Sequence, residues 1–172
     1  MNLFNLLPRL CGRAKKSRFW LGVLNVLLGR IIPFNRPHGF RIAEIGDNHI
    51  TTSGPYKSAN QNHLRGIHAC AIATVAEISA GFLLLSKLEA QHYRLIMSRI
   101  EVEYRYQAKE QIFSTSSLNG ERIEAEIVTP LQAQDSVSIM VESRVRDVSG
   151  NEIAEARTTW QIKRWDRVQT SV

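Results

Sequence analysis

One carboxylate stands in the most apolar stretch of the chain. From Gly66 to Leu88 the sequence reads GIHACAIATVAEISAGFLLLSKL, and between Arg65 and Lys87 only Glu77 ordinarily carries a charge at neutral pH. Burying a carboxylate without a partner costs several kcal/mol as an order of magnitude and raises its pKa, so such a residue is paired, reaches the helix rim, or does chemistry. Arg65 is the partner the pairing option would use. His68 stands nine residues before Glu77. At about 100° and 1.5 Å per residue, that spacing puts the two on opposite sides of one helix and roughly 13 Å apart along it. Cooperation between them therefore calls for the helix start of one chain to face the helix middle of another. The free N–H groups near His68 and Ala69, at the positive end of the helix dipole, favour developing negative charge. An oxyanion site and a base that activates water are the two elements acyl transfer requires. Cys70 has no base placed to activate it and reads as a buried, small apolar residue.

The elements that position these groups follow from periodicity. Residues Gly66 to Leu88 are apolar on nearly every side of a helical wheel, the mark of a helix buried almost all round. Before it, Phe40 to Ser58 carries two short strand-like runs around a turn at Gly46, Asp47 and Asn48. After it, Ile100, Val102, Tyr104 and Tyr106 alternate with charged neighbours. Alternation recurs at Ile123, Ala125 and Ile127, at Val137, Ile139, Val141 and Val145, and at Ala154, Ala156, Thr158, Trp160 and Ile162. Asn119-Gly120 and Ser149-Gly150-Asn151 are hairpin signals between these runs, which predicts an antiparallel meander. A sheet of five to six strands with an apolar face must be covered, and the Gly66 to Leu88 helix is the segment apolar enough to cover it. The expected fold class is α+β, an antiparallel sheet wrapped around one long buried helix.

Charge is unevenly distributed. The net charge is +6, yet Arg9, Arg13, Lys15, Lys16, Arg18, Arg30, Arg36 and Arg41 all precede the first acidic residue, Glu44. The main body is near neutral, which removes most support for nucleic-acid binding. Phe19, Trp20, Val23, Leu24, Leu27, Leu28 and Ile31 repeat at helical spacing and predict an amphipathic helix ending near Pro33. The stretch is too short to span a bilayer and is interrupted by Arg30. Its apolar face packs on the domain or a partner subunit, or, as the sharper alternative, rests on an anionic membrane surface. The organisation expected is a basic N-terminal helical segment over 1–38, the α+β domain over 39–166 and a tail over 167–172. Cys11 and Cys70 are far apart and His38, His49, His63, His68 and His92 form no ligand cluster, so no metal and no disulfide framework are expected, and a reducing, cytoplasmic compartment fits.

The segment NHLRGIHACAIATVAEISAGF, Asn62 to Phe82, resembles the helix signature of hotdog-fold thioesterases, phenylacetate-type branch: an Asn, a His six residues later that opens the helix, and an acidic residue nine further on. Asn62, His68 and Glu77 match all three. VEYRYQA, Val102 to Ala108, is similar to the strand that follows the helix in these proteins. The resemblance runs from about Phe40 to Trp165 and is closest to a bacterial branch with Glu on the helix. It implies a hotdog fold, Glu77 as general base or nucleophile, Asn62 positioning water or substrate, and the backbone of His68 and Ala69 polarising a thioester carbonyl. It also implies coenzyme A thioesters as substrates without a separate cofactor, and a homodimer, or a dimer of dimers, in which Glu77 meets Asn62 and His68 of the other subunit. The family's helix start usually reads His-Gly-Gly, where this chain has His68-Ala69-Cys70. A family Ser or Thr after the helix aligns with Met97, next to Ser98, which makes Ser98 a substrate-binding candidate. A noncatalytic acyl-binding or scaffolding role and, more weakly, hydration or dehydration of acyl thioesters are the competing readings.

Overall fold

The computed structural model describes residues 3–88 and 91–168, so most of the tail expected over 167–172 lies outside the described residues. Three helices come first: α1 (Leu3–Ala14), α2 (Arg18–Ile31) and the short α3 (Asn35–His38). They are followed by β1 (Arg41–Ile45), β2 (His49–Gly54), the long helix α4 (Ala69–Lys87) and β3 (Tyr93–Tyr104). The chain closes with β4 (Ile112–Ser117), a short helix α5 (Gly120–Ile123), β5 (Ser136–Asp147) and β6 (Glu152–Arg164). The six strands form one antiparallel sheet in the order β1-β2-β4-β5-β6-β3.

Helix α4 lies on the concave side of this sheet as predicted, packing mainly on β2, β4 and β5. Val75, Ala76, Ala80, Leu83 and Leu84 are essentially inaccessible to solvent, and they meet Ile112, Ile139, Val141 and Ile162 from the strands. α4 is long and apolar enough to cross a membrane, but more than half of that stretch is buried against the sheet. The dry interface contains one polar island. Ser79 of α4 hydrogen-bonds to Ser114 (3.0 Å) and Ser116 (2.7 Å), and Ser116 to Ser143 (2.6 Å), with Ser79 and Ser143 both donating to the Ala76 carbonyl oxygen. All four serines are fully buried, and their mutual bonding removes the cost of desolvating them.

Two sequence expectations change. Residues Asn119 to Val128 form helix rather than a hairpin and strand. The Asn119 side chain accepts from the Arg122 N–H (2.9 Å) as an N-cap, and Arg122 pairs with Glu126 one turn on (2.6 Å). Ile123 and Ile127, four apart, fit a helix face as well as a strand face; the exposure of Ala125 between them distinguishes the two. The meander is also incomplete. β4, β5 and β6 follow one another, with Ser149-Gly150-Asn151 turning β5 into β6 as expected, but β3 pairs with β6 and forms the far edge of the sheet.

The N-terminal helix expected near Phe19 is α2, and α1 before it was not anticipated. They pack on each other, with Arg13 stacked 4.7 Å over Trp20, and α2 packs on β1 with Leu24 buried. Asn25 secures this docking. Its amide oxygen accepts from the Ile42 N–H (2.7 Å) and its Nδ2 donates to the Ile42 carbonyl (2.9 Å), so one side chain satisfies both backbone groups on the free side of edge strand β1.

Candidate functional site

Glu77 is half-buried on the face of α4 that turns away from the serine island, and it lines an apolar cavity of about 710 Å³. The walls include Leu28 of α2 and Ile32 just beyond it, Ile78 and Phe82 of α4, Met97 and Ile100 of β3, and Trp160 of β6. Burial pushes the Glu77 carboxyl above the ordinary glutamate range. Among the described residues no hydrogen-bond or ion-pair partner reaches it; Arg65, the partner considered from sequence, is exposed in the loop before the helix. The side chain thus combines a proton affinity raised by burial with an apolar void, a combination suited to acid–base chemistry on a hydrophobic substrate.

The carboxylate's neighbour was missed in the sequence. Trp160 of β6 packs over Gly81, one turn after Glu77, where a Cβ would lie 2.6 Å from the indole Cη2. The indole Nε1 donates to the Thr158 hydroxyl (2.9 Å), which fixes the ring in the cavity wall. Gly81 in an otherwise Ala- and Leu-rich helix was the available signal.

His68 is the N-cap of α4, with extended φ/ψ of −65° and 140°. Its position outside the helix means that the wheel angle drawn from Glu77 does not apply to it; only the separation along the axis carries over. Its Nδ1 accepts from the Cys70 N–H (3.1 Å), so the ring's proton sits on Nε2 and the ring points to solvent. The backbone N–H groups of Ala71 and Ile72 turn back to the His68 carbonyl. The Ala69 N–H has no acceptor among the described residues, leaving it as the free donor of the helix start. Tyr104 of β3 donates to the Ala69 carbonyl (3.0 Å) and ties that start to the edge strand; partial burial first, and the nearby Cys70 second, raise its phenol pKa.

Asn62 shapes the loop that delivers the helix. Its Oδ1 accepts from the N–H groups of Leu64 (2.9 Å) and Gly66 (3.0 Å), a turn in which Arg65 takes a φ of 55°. Asn62 and Ala69 line a shallow hollow with Tyr104 and Ala108, separate within the chain from the Glu77 cavity. His68 lines a small hollow with His38 and Asn60, which adjoins the Glu77 cavity along Cys70 and Thr74. Cys70, expected to be buried, is exposed because it stands in the first turn of α4, before the helix passes under the sheet. Ser98 is the extra residue of a bulge in β3 between Met97 and Arg99. Its hydroxyl donates to the Thr159 carbonyl (3.1 Å), and it does not line the cavity within this chain. The bulge has a consequence for the wall: it lets Met97 and Ile100, three apart, face the same cavity. Among the described residues no three of His, Cys, Asp or Glu gather in a metal-ligand arrangement.

A six-stranded antiparallel sheet in this order, curled around one long helix, is the hotdog fold. The family described as Domain of unknown function (DUF4442) matches residues 22–162, and the chain belongs to that family. Among solved structures it is similar to a protein from Pseudomonas aeruginosa described as of unknown function and a probable thioesterase, at 23% identity and a TM-score of 0.76 over 83% of this chain and 95% of that one. A thioesterase from Haemophilus influenzae superposes at 14% identity and a TM-score of 0.66, over 84% of this chain and 90% of that one. A protein of unknown function from Chlorobaculum tepidum does so at 12% and 0.71, over 83% and 93%. Comparison with proteins of curated function finds no match.

Proposed function

We propose that this protein hydrolyses acyl thioesters, with Glu77 as general base or nucleophile. The observation that carries the reading is the position of an unpartnered carboxylate, its pKa raised by burial, on the wall of an apolar cavity large enough for an acyl chain. The fold shared with proteins described as thioesterases supports it. Acyl-coenzyme A is the substrate class of choice.

A second copy of the chain completes the site. Asn62 and Ala69 line a hollow apart from Glu77, and β3 is a twelve-residue edge strand whose outer side is unpaired in the sheet. Pairing two β3 edges would satisfy that row of backbone groups and bring the two α4 helices side by side, the Ala69 N–H of one facing Glu77 of the other. Glu77 then either takes a proton from the water that attacks the carbonyl carbon, or attacks that carbon itself to give a mixed anhydride that water hydrolyses. In both routes the C–S bond breaks and the thiolate leaves and takes up a proton, while the helix start stabilises the charge on the carbonyl oxygen. Asn62 holds the water or substrate and Ser98 flanks the shared edge.

A noncatalytic acyl-binding role has one observation in its favour: His68 Nδ1 already occupies the Cys70 N–H, which leaves a single free donor where two would polarise a carbonyl better. Thiol release from a panel of acyl-coenzyme A thioesters, by the wild type and Glu77→Gln, separates the readings. Hydrolysis should favour apolar chains and fall about 10²- to 10⁴-fold in the variant. Turnover unaffected by the substitution would overturn the assignment of Glu77, and saturable binding without turnover would establish the acyl-binding role.

A further inference from the structure

Helix α2 is apolar on both sides. Leu21, Leu24 and Leu28 face the body, as a docked helix requires, but the opposite side carries Phe19, Gly22 and Val26 where a surface helix ordinarily places charge. Phe19 is 70% exposed, Val26 55% and Phe34, just beyond the helix, 60%, with Ile31 and Ile32 also exposed. Phe19, Gly22, Val23 and Val26 line one groove together and form an apolar ridge, not scattered singles, while Ile32 and Phe34 lie at the Glu77 cavity next to it.

The ridge is bordered by one sign of charge. Arg18, Arg30, Arg36 and Arg41 rim an open groove of about 850 Å³ between α2 and the α3–β1 corner, and none of them has an ion-pair partner among the described residues. Elsewhere on the surface, arginines such as Arg105, Arg122, Arg146 and Arg164 are paired with acids. A two-fold contact between copies through this face would set its arginines against themselves, which disfavours a second copy as its occupant. The exposed apolar groups run along a helix some 21 Å long beside this arginine-rimmed groove, the pairing of an apolar strip with basic flanks that suits an anionic lipid interface.

We propose that this face docks on an anionic lipid bilayer, with Phe19, Val26 and Phe34 entering the boundary between headgroups and acyl chains and the four arginines meeting lipid phosphates. Docking would also have a consequence for access. The groove and the Glu77 cavity share Asn25, Gly29 and Phe40 in their walls, so the cavity lies directly beneath the docked surface. The proposal does not depend on Glu77 being catalytic.

Flotation of the full-length protein with vesicles tests it. The wild type should partition onto phosphatidylcholine vesicles containing phosphatidylglycerol about tenfold or more better than onto phosphatidylcholine alone, and added salt should weaken it. F19S/V26S and R30E/R36E should each lose about tenfold or more, with thermal melting close to that of the wild type. No partition onto anionic vesicles, or equal partition by the variants, overturns the proposal. So does a drop in oligomeric size in F19S/V26S by sedimentation, which would make the ridge a contact between copies. Binding of an acidic acyl carrier protein, abolished in R30E/R36E, with no vesicle binding, would assign the face to a protein partner instead.

Discussion

The indole of Trp160 lies against the backbone of Gly81, where any Cβ would approach the ring to 2.6 Å and the Glu77 Oε1 to 3.5 Å. In an exposed helix Gly→Ala stabilises by about 1 kcal/mol. Here Gly81→Ala must displace a ring held by its hydrogen bond to Thr158, so the sign reverses, and we expect a loss of about 1–3 kcal/mol in urea denaturation. Acyl-thioester turnover should fall with it, because the displaced ring forms part of the cavity wall. A stabilised Gly81→Ala variant would show that the helix and β6 can separate at this point.

Glu77 predicts opposite pH effects on stability and rate. Burial raises its pKa in the folded protein, so folding favours the protonated form. Below the ordinary carboxylate range the group is protonated in both folded and unfolded chains and costs nothing. As pH rises from there through the elevated folded pKa, the burial penalty develops fully. Glu77→Gln should therefore melt higher than the wild type at neutral pH, with the gap closing in acid. The wild type's kcat/KM should rise with pH through the same elevated pKa, since a base must be ionised. Equal melting temperatures at neutral pH would mean that the carboxylate gains a partner in solution.

Much of this arrangement was readable from residue types. The length and uniform apolarity of α4 separate it from the strands, and an isolated Glu in such a helix marks the cavity wall before any geometry is known. What was not readable depends on partners distant in sequence. The strand signal at Ile123 and Ile127 failed because two buried positions four apart satisfy both periods, and the cap from Asn119 decided between them. The place of β3 beside β6 is set by pairing across fifty residues or more, which alternation cannot encode. His68 was recognisable as the opening of the helix, but whether its ring caps the backbone or faces a substrate depends on a side-chain rotation.

Asn25 predicts a local loss of order at the N-terminal layer. Its amide makes two hydrogen bonds to Ile42 and a third to the Leu21 carbonyl (3.0 Å), all partly buried. Asn25→Ala leaves the free side of β1 to water and should cost about 1–3 kcal/mol. The discriminating measurement is amide hydrogen exchange. Ile42 should lose protection strongly while Val141, in the central strand β5, loses only what the global change in stability dictates. Uniform loss at both amides would mean that α2 and the sheet unfold as one unit.

The buried serines predict non-additive energetics. Ser116 and Ser143 lie 2.6 Å apart, and each has a further partner in Ser79 or the Ala76 carbonyl. Truncating one hydroxyl leaves its partners to rebond among themselves or remain unsatisfied in a dry interface, at about 1–3 kcal/mol. Once one is gone, the other has less to lose, because the bond between them has already been broken. Ser116→Ala and Ser143→Ala should therefore cost less together than the sum of the single changes, with a coupling of about 0.5–3 kcal/mol in a double-mutant cycle by urea denaturation. Additive costs would mean that each serine is held by its bonds to α4 and that the hydroxyl-to-hydroxyl contact contributes nothing of its own.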